Sequence, residues 1–409
     1  MSEFNSSDEI VQMMIPKFIE RFGVKPLIAG RAPGRVNLIG EHIDYCGFNV
    51  FPMALEGKNT TVLITPTKSG LIRARNTDQN YPDTDLPIHP DSDVVTSKGW
   101  IAYVETIFHY YSKVYGYKLE GFDVLVHGLV PIASGLSSSA ALICSIAIAL
   151  NCLHGSPEKK QDLVQTAIQA ERKIGINCGG MDQSISILAK KGYACIIGFH
   201  PITAEYVKLP PAHFIVAHTM KSAAKIEEVD PTDCYNWRVQ EVARCAQLMK
   251  EGCKTLAEVV KSLDNNFDEA IKLAETLPEV DENEPKLVLR KRALHVLTEA
   301  RRVLQMNGAD LKTWGKLMCE SHASCRDLYH CSCKELDELV DVGMKAGAMG
   351  GRLTGAGWGG STVFILDPSA NPDEFIQNVI DNYYKKHGIE NPIIFPTSPA
   401  QGAQAFKLE

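Results

Sequence analysis

The chain has 409 residues, 45% hydrophobic and 22% charged, which is enough apolar mass for a large core and about two domains. That composition excludes a disordered tail protein, and a net charge of −7 argues against a nucleic-acid-binding surface. The most basic short run, Arg290-Lys-Arg292, falls in a helical pattern and reads as a solvated helix face.

Met1 to Glu9 is polar and acidic, which suits neither a signal peptide nor a membrane span, so a cytoplasmic protein with no membrane partner is expected. Apolar runs ending at Ile28 and starting at Phe51 flank Arg31-Ala-Pro-Gly-Arg-Val-Asn-Leu-Ile-Gly-Glu-His-Ile-Asp-Tyr45. This segment reads as a strand and turn that project polar side chains from a hydrophobic base. Glu41, His42 and Asp44 could together satisfy several hydroxyls of a small polyol, while Arg35 supplies fixed positive charge. Any two of these groups alone would be better explained by an ordinary ion-pair cluster at a strand end.

Strand-like runs follow at Val62 to Ile64 and Phe122 to Val126. Next comes Pro131-Ile-Ala-Ser-Gly-Leu-Ser-Ser-Ser-Ala-Ala-Leu142, leading into the apolar helical stretch Ala140 to Leu150. A strand, a Gly/Ser loop and a helix place the N–H groups of Gly135 to Ser139 at a helix entrance, where free donors and the dipole favour a phosphate. One serine hydroxyl can also reach a magnesium ion. The loop lacks the Gly-Lys-Ser/Thr ending of the common nucleotide loop. A capped helix would need only one serine, and three stand in a row.

On the helix expected from Pro157 to about Ile174, Glu171 is in register with Leu163 and Ala167, so it faces inward and needs a partner. Asp182 follows Gly179-Gly180 at a second helix entrance, with Met181, Ile185 and Leu188 on one face. The dipole and a nearby Arg35 would favour its ionised form. The pattern pauses at Leu209-Pro-Pro211, which divides the chain into residues 1–210 and 211–409. Beyond it, a strand from Phe214 to Ala217 precedes amphipathic helices at Asn236 to Lys250, Phe267 to Thr276, Lys286 to Met306 and Ala309 to Ser321. Six glycines in the eleven positions from Gly350 to Gly360 permit close backbone approach to a ligand, and a strand from Ser361 to Leu366 follows. Twelve cysteines are scattered without scaffold spacing, which points to reduced thiols. A zinc site at Cys325, Cys331 and Cys333 would need His322 or His330 as a fourth ligand and is the less favoured reading.

The three glycine-bearing segments together resemble the GHMP small-molecule kinase superfamily, and the first narrows the resemblance to galactokinases. Gly34 to Tyr45 reproduces the signature Gly-Arg-x-Asn-Leu-Ile-Gly-Glu-His-x-Asp-Tyr, and Gly-Leu-Ser-Ser-Ser-Ala and Leu-Thr-Gly-Ala-Gly-Trp-Gly-Gly are similar to the other family motifs. Gly179-Gly-Met-Asp-Gln183, Ser321 to Tyr329 and Cys331-Ser-Cys333 extend the likeness nearly end to end. The resemblance implies an α+β, two-domain GHMP kinase fold with a ribosomal protein S5 domain 2-like N-terminal lobe and a ferredoxin-like C-terminal lobe. It also implies a monomeric, ATP-dependent kinase of the Leloir pathway that phosphorylates the C1 hydroxyl of galactose, with ATP and Mg2+ as cofactors.

In that frame Asp182 is the catalytic base and Arg35 its partner. Gly135, Leu136, Ser137, Ser138, Ser139 and Ala140 form the nucleotide loop, and Ser139 and Glu171 hold the metal. Glu41, His42, Asp44, the backbone at Gly179 and the phenol of Tyr235 contact the sugar. Trp100 walls the adenine pocket or is a core tryptophan. Arg35, Arg352 and magnesium, rather than a global field, attract the phosphates. Ile43, Cys46 and the Ser321 to Cys333 tract resemble an N-acetylgalactosamine kinase branch, whereas Tyr235 departs from it. The intact Ser139-Ala140 pair favours an enzyme over a non-catalytic sugar sensor. Galactose is the expected substrate, with N-acetylgalactosamine the alternative.

Overall fold

A computed structural model describes residues 4–89, 95–222 and 234–409. Five strands come first: β1 (Ile28–Ile39), β2 (Phe51–Pro66), β3 (Leu71–Asn76), β4 (Thr84–Pro87) and β5 (Phe122–Gly128). A two-stranded unit follows, β6 (Tyr193–Gly198) with β7 (Thr203–Lys208). Then β8 (His213–His218), β9 (Gly350–Thr354), β10 (Ser361–Leu366) and β11 (Ile394–Thr397) build a four-stranded antiparallel sheet in the order β11-β8-β10-β9. The last strand, β12 (Gln404–Lys407), returns to the first sheet, whose order is β12-β1-β2-β5-β3-β4.

The first sheet separates two apolar layers because successive side chains on a strand point to opposite faces. Val62, Ile64, Val124 and Val126 face the helices Trp100–Tyr115, Ser138–Leu153 and Lys160–Arg172. Their neighbours Leu63 and Leu125 face the opposite way, onto Val11, Met14 and Phe18 of the helix Glu9–Phe22. The helix Ser138–Leu153 is buried at every position from Ala140 to Asn151, as an all-round apolar helix must be. It lies close on β1, where a Cβ at Gly30 would sit 2.5 Å from the Ser145 carbonyl oxygen. This contact fixes where the serine loop at its N-terminus lies.

A further core joins residues from both sequence halves, including Leu38 and Ile39 with Leu297, Trp314, Leu353 and Val363. Part of the glycine-rich tract departs from its sequence reading. Gly350 and Gly351 belong to β9, and a Cβ at Gly350 would stand 2.4 Å from the Gly315 Cα of the helix Leu311–Ser324. Those two glycines serve close strand packing; only the tract from Gly355 onward forms a loop. All twelve cysteines are free, and among the described residues no helix is long and apolar enough to cross a membrane.

Candidate active site

The site is organised around β1. Its pairing with β2 shifts register between Pro33 and Arg35, a bulge that re-aims the Arg35 side chain. At the same point the glycine tracts meet. A Cβ on Gly34 would lie 2.6 Å from the Leu136 carbonyl oxygen, and one on Gly355 would lie 2.4 Å from that of Gly135. Gly135 and Gly355 also hold φ values of +73° and +89°, which L side chains rarely adopt. Backbones this close need glycine, so three segments far apart in sequence abut.

Arg35 is the hub of this junction. Its Nε donates to Asp182 Oδ1 at 2.7 Å, its Nη1 donates to the Gly135 carbonyl, and its backbone N–H donates to the Leu136 carbonyl. Burial lowers its affinity for a proton, but Asp182, Glu41 and Asp44 more than offset this and the guanidinium is raised above its ordinary value. Asp182 lies in the first turn of the helix Met181–Leu188, whose cap residue Gly180 is left-handed at φ +115°. A narrow cleft of about 30 Å³, open to solvent, is lined by Arg35, Glu41, His42, Asp44, Met181, Asp182, Tyr235, Gly355 and Ala356.

The turn after β1 supplies three of these residues. Glu41 is 1% exposed; its Oε1 accepts from the Gly355 N–H at 3.0 Å, and Arg352 Nη1 stands 2.8 Å from its Oε2. His42 Nε2 lies 2.9 Å from the Ala356 carbonyl, so it carries the proton, and Nδ1 accepts from Tyr45 Oη at 2.7 Å. Tyr45 in turn accepts from Tyr329 at 2.8 Å. Burial brings His42 down to about 3, so the ring is neutral at ordinary pH. Asp44 accepts from the Met181 N–H at 3.3 Å, and burial followed by the Asp182 charge raises its carboxyl above the usual range. Tyr235 lies 5.5 Å from His42 and 5.4 Å from Tyr45, ring to ring. Gly179 does not line the cleft; it packs behind Asp44, where a Cβ would meet the carboxyl carbon at 2.4 Å.

The serine-loop residues approach from the Gly135 side. Ser137 caps the buried helix in a left-handed conformation at φ +62° and makes no side-chain capping bond. Its hydroxyl is buried without a hydrogen-bond partner among the described residues. Ser139 Oγ donates to Glu171 Oε1 at 2.9 Å, and Gln183 Nε2 donates to Glu171 Oε2. Glu171, 1% exposed, thus faces inward toward the loop. Trp100 stacks edge-on against Tyr81 at 5.6 Å and is not among the residues lining the cleft. Arg352 differs from its sequence reading: it is fully buried and is spent on Glu41 and Glu299, so it offers no charge to a phosphate. No group of three or more His, Cys, Asp or Glu among the described residues is placed to hold a metal, which leaves the Cys325–Cys333 tract without a zinc centre there.

Comparison with known proteins fits this geometry. A family model described as the galactokinase galactose-binding signature matches residues 16–66. The GHMP kinases N terminal domain matches 102–190, and the GHMP kinases C terminal matches 300–386. A galactokinase from Dictyostelium discoideum is 34% identical, with 93% of this chain and 90% of that protein covered. The chain belongs to the galactokinase family. A human galactokinase is 35% identical over 87% of this chain and 88% of its own. The crystal structure of Lactococcus lactis galactokinase complexed with galactose superposes with a TM-score of 0.81 at 28% identity, covering 97% of this chain and 99% of that one.

Within this galactokinase-family architecture, Ile43 and Cys46 are core residues, 0% and 2% exposed, and neither is among the residues lining the cleft. Sequence reasoning passed over Gln183, His295 and Glu299. A signal was present for the last two, which are polar residues on the apolar face of the helix Arg290–Met306, beside Val296 and Ala300. Such residues need buried partners, and the sequence could not say which.

Proposed function

We propose that this chain is an ATP-dependent sugar kinase that transfers the γ-phosphoryl group of ATP to the C1 hydroxyl of galactose, giving galactose 1-phosphate and ADP. The Arg35–Asp182 ion pair carries the reading, because Arg35 is bonded both to that carboxylate, in the cleft beside the sugar motif, and to the serine loop. The galactokinase names of its relatives favour galactose over N-acetylgalactosamine.

Asp182 accepts the hydroxyl proton at a carboxylate oxygen as the sugar oxygen bonds to the γ-phosphorus, and the electrons of the breaking P–O bond leave on ADP. Arg35 orients Asp182 and holds the loop in place. Positioning and charge neutralisation supply most of the rate in such transfers. Asp44, Glu41, His42 and Tyr235 bind and orient the sugar, and the N–H groups of Gly135 to Ala140 receive the phosphates. Trp100 walls the adenine pocket or packs as a core tryptophan. Ser139 and Glu171 form an all-oxygen pair suited to a hard cation that keeps waters and phosphate oxygens as its other ligands, so they fit magnesium. When bound, magnesium neutralises charge on the phosphates. Cytoplasmic location and a monomeric state complete the proposal.

A coupled ADP-release assay with galactose and N-acetylgalactosamine tests it. Faster turnover with galactose is expected; preference for the acetamido sugar would reassign the substrate, and turnover with neither would favour a sensor. Asp182→Ala should cut kcat by about 10³-fold, within the usual range for a lost general base, and leave ATP affinity within about threefold. Near-parental turnover by the folded variant would reject its role.

A further inference from the structure

The helix Arg290–Met306 contributes nothing to the lining of the cleft, yet two of its buried side chains grip the backbone of Glu41. Glu299 Oε1 accepts from the Gly40 N–H at 2.8 Å and from the Glu41 N–H at 3.2 Å. His295 Nε2 lies 3.1 Å from the Glu41 carbonyl oxygen. The two residues are four apart, one helical turn, and so share a face. Each is held by the segment that follows: Ser321 Oγ donates to Glu299 at 2.7 Å, and Ser324 Oγ lies 2.8 Å from His295 Nδ1. With Nδ1 accepting, Nε2 carries the proton and donates to the carbonyl. The His295 ring also packs tilted against Tyr329 at 4.4 Å, and Tyr329 packs tilted against His42 at 4.8 Å.

Both residues are fully buried. Arg302 and Arg352 outweigh the burial of Glu299 and hold it down at about 2, while burial takes His295 to about 4. At neutral pH one is therefore a charged acceptor for the amides and the other a neutral donor for the carbonyl. An apolar helix face would pack here at less desolvation cost, so the polar pair must supply something that packing does not.

We propose that His295 and Glu299 are positioning residues for sugar binding: they clamp both backbone polar groups of Glu41, so that Glu41, His42 and Asp44 present one fixed geometry to the sugar. This rests on the reading of that turn as the sugar subsite. Neither residue touches the nucleotide loop, so the effect is confined to one substrate.

Steady-state kinetics on the full chain, with galactose and ATP varied separately, test the assignment. Glu299→Ala should raise the galactose KM about tenfold and leave the ATP KM within about twofold, as expected when a buried acceptor of two N–H groups is removed. Glu299→Gln keeps an acceptor oxygen and should recover most of the loss. His295→Leu frees no charged partner, so it serves if Glu299→Ala does not fold; its galactose KM should rise about threefold with the ATP KM unchanged. A folded Glu299→Ala or His295→Leu with a parental galactose KM would overturn the proposal. So would a parallel rise in both KM values, or a Glu299→Gln no better than Glu299→Ala. Absence of turnover by the parent on either sugar would instead reject the sugar-kinase reading beneath it.

Discussion

The turn from Gly40 to Tyr45 and the loop from Gly135 to Ser139 carry the two halves of the proposed chemistry, and they are held in opposite ways. In the turn, the Gly40 and Glu41 amides, the Glu41 carbonyl, the Glu41 carboxylate and both His42 nitrogens all have protein partners. In the loop, Arg35 takes two carbonyls and Ser139 reaches Glu171, but the Ser137 hydroxyl is buried with no partner among the described residues. In the proposed sugar turn these groups are paired within the protein. In the proposed nucleotide loop the protein shapes the backbone and leaves the Ser137 hydroxyl for a ligand, which suits a phosphate cradle at a helix N-terminus.

The sharpest way to break this contrast is at Gly355, which serves both regions. Its N–H holds Glu41, and its Cα rests on Gly135. In Gly355→Ala a methyl group would have to sit 2.4 Å from a backbone oxygen at φ +89°. A stability loss of about 3 kcal/mol or more is expected in denaturant unfolding, with the KM of both substrates raised. A rise confined to one substrate would show that the two regions are uncoupled there.

Acid should act on the turn before the loop. His42 and His295 are neutral in the folded protein, depressed to about 3 and about 4, whereas in the unfolded chain each titrates near 6.5. The unfolded chain therefore binds more protons between these values, so stability is full above about pH 6.5 and falls as pH drops through the window. Each histidine should cost about 2 kcal/mol at pH 5 relative to pH 8. Glu41 and Asp44, both raised by burial, act in the opposite sense at the acid end. Chemical unfolding at the two pH values checks this, and His295→Leu should remove about 2 kcal/mol of the dependence. Equal stability at pH 5 and pH 8 would contradict the buried, neutral state of both rings.

The smallest effect is expected at Ser137. Removing its hydroxyl in Ser137→Ala breaks no bond within the described protein, so stability should stay within about 0.5 kcal/mol. The ATP KM should rise about threefold and the galactose KM should not move. A shift in the galactose KM instead would place the hydroxyl on the wrong side of the comparison.

Much of the fold was legible because it is local. The alternation in Phe122 to Val126 and the apolar run Ser361 to Leu366 mark strands, and the helices at Phe267–Glu275 and Leu311–Ser324 follow their apolar spacing to within a few residues. The Gly-Leu-Ser-Ser-Ser-Ala and Gly-Glu-His-x-Asp-Tyr tracts likewise name chemistry by residue type and order. Other features were invisible for the same reason. Gly350 and Gly351 read as loop because a sequence shows backbone freedom, not the Gly315 helix that presses against them. Arg352 read as free charge because its partner, Glu41, is 311 positions away, as the two numbers give directly.

The sequence by itself therefore determined the elements, the family and the kinds of groups that could meet a sugar and a phosphate. The tertiary structure alone decided which groups do meet: Arg35 with Asp182, Glu41 with Arg352, and the Glu41 backbone with His295 and Glu299. Local propensity acts over a few residues, whereas a buried charge is satisfied by whatever packing brings within about 3 Å, and that choice is made by the whole core at once.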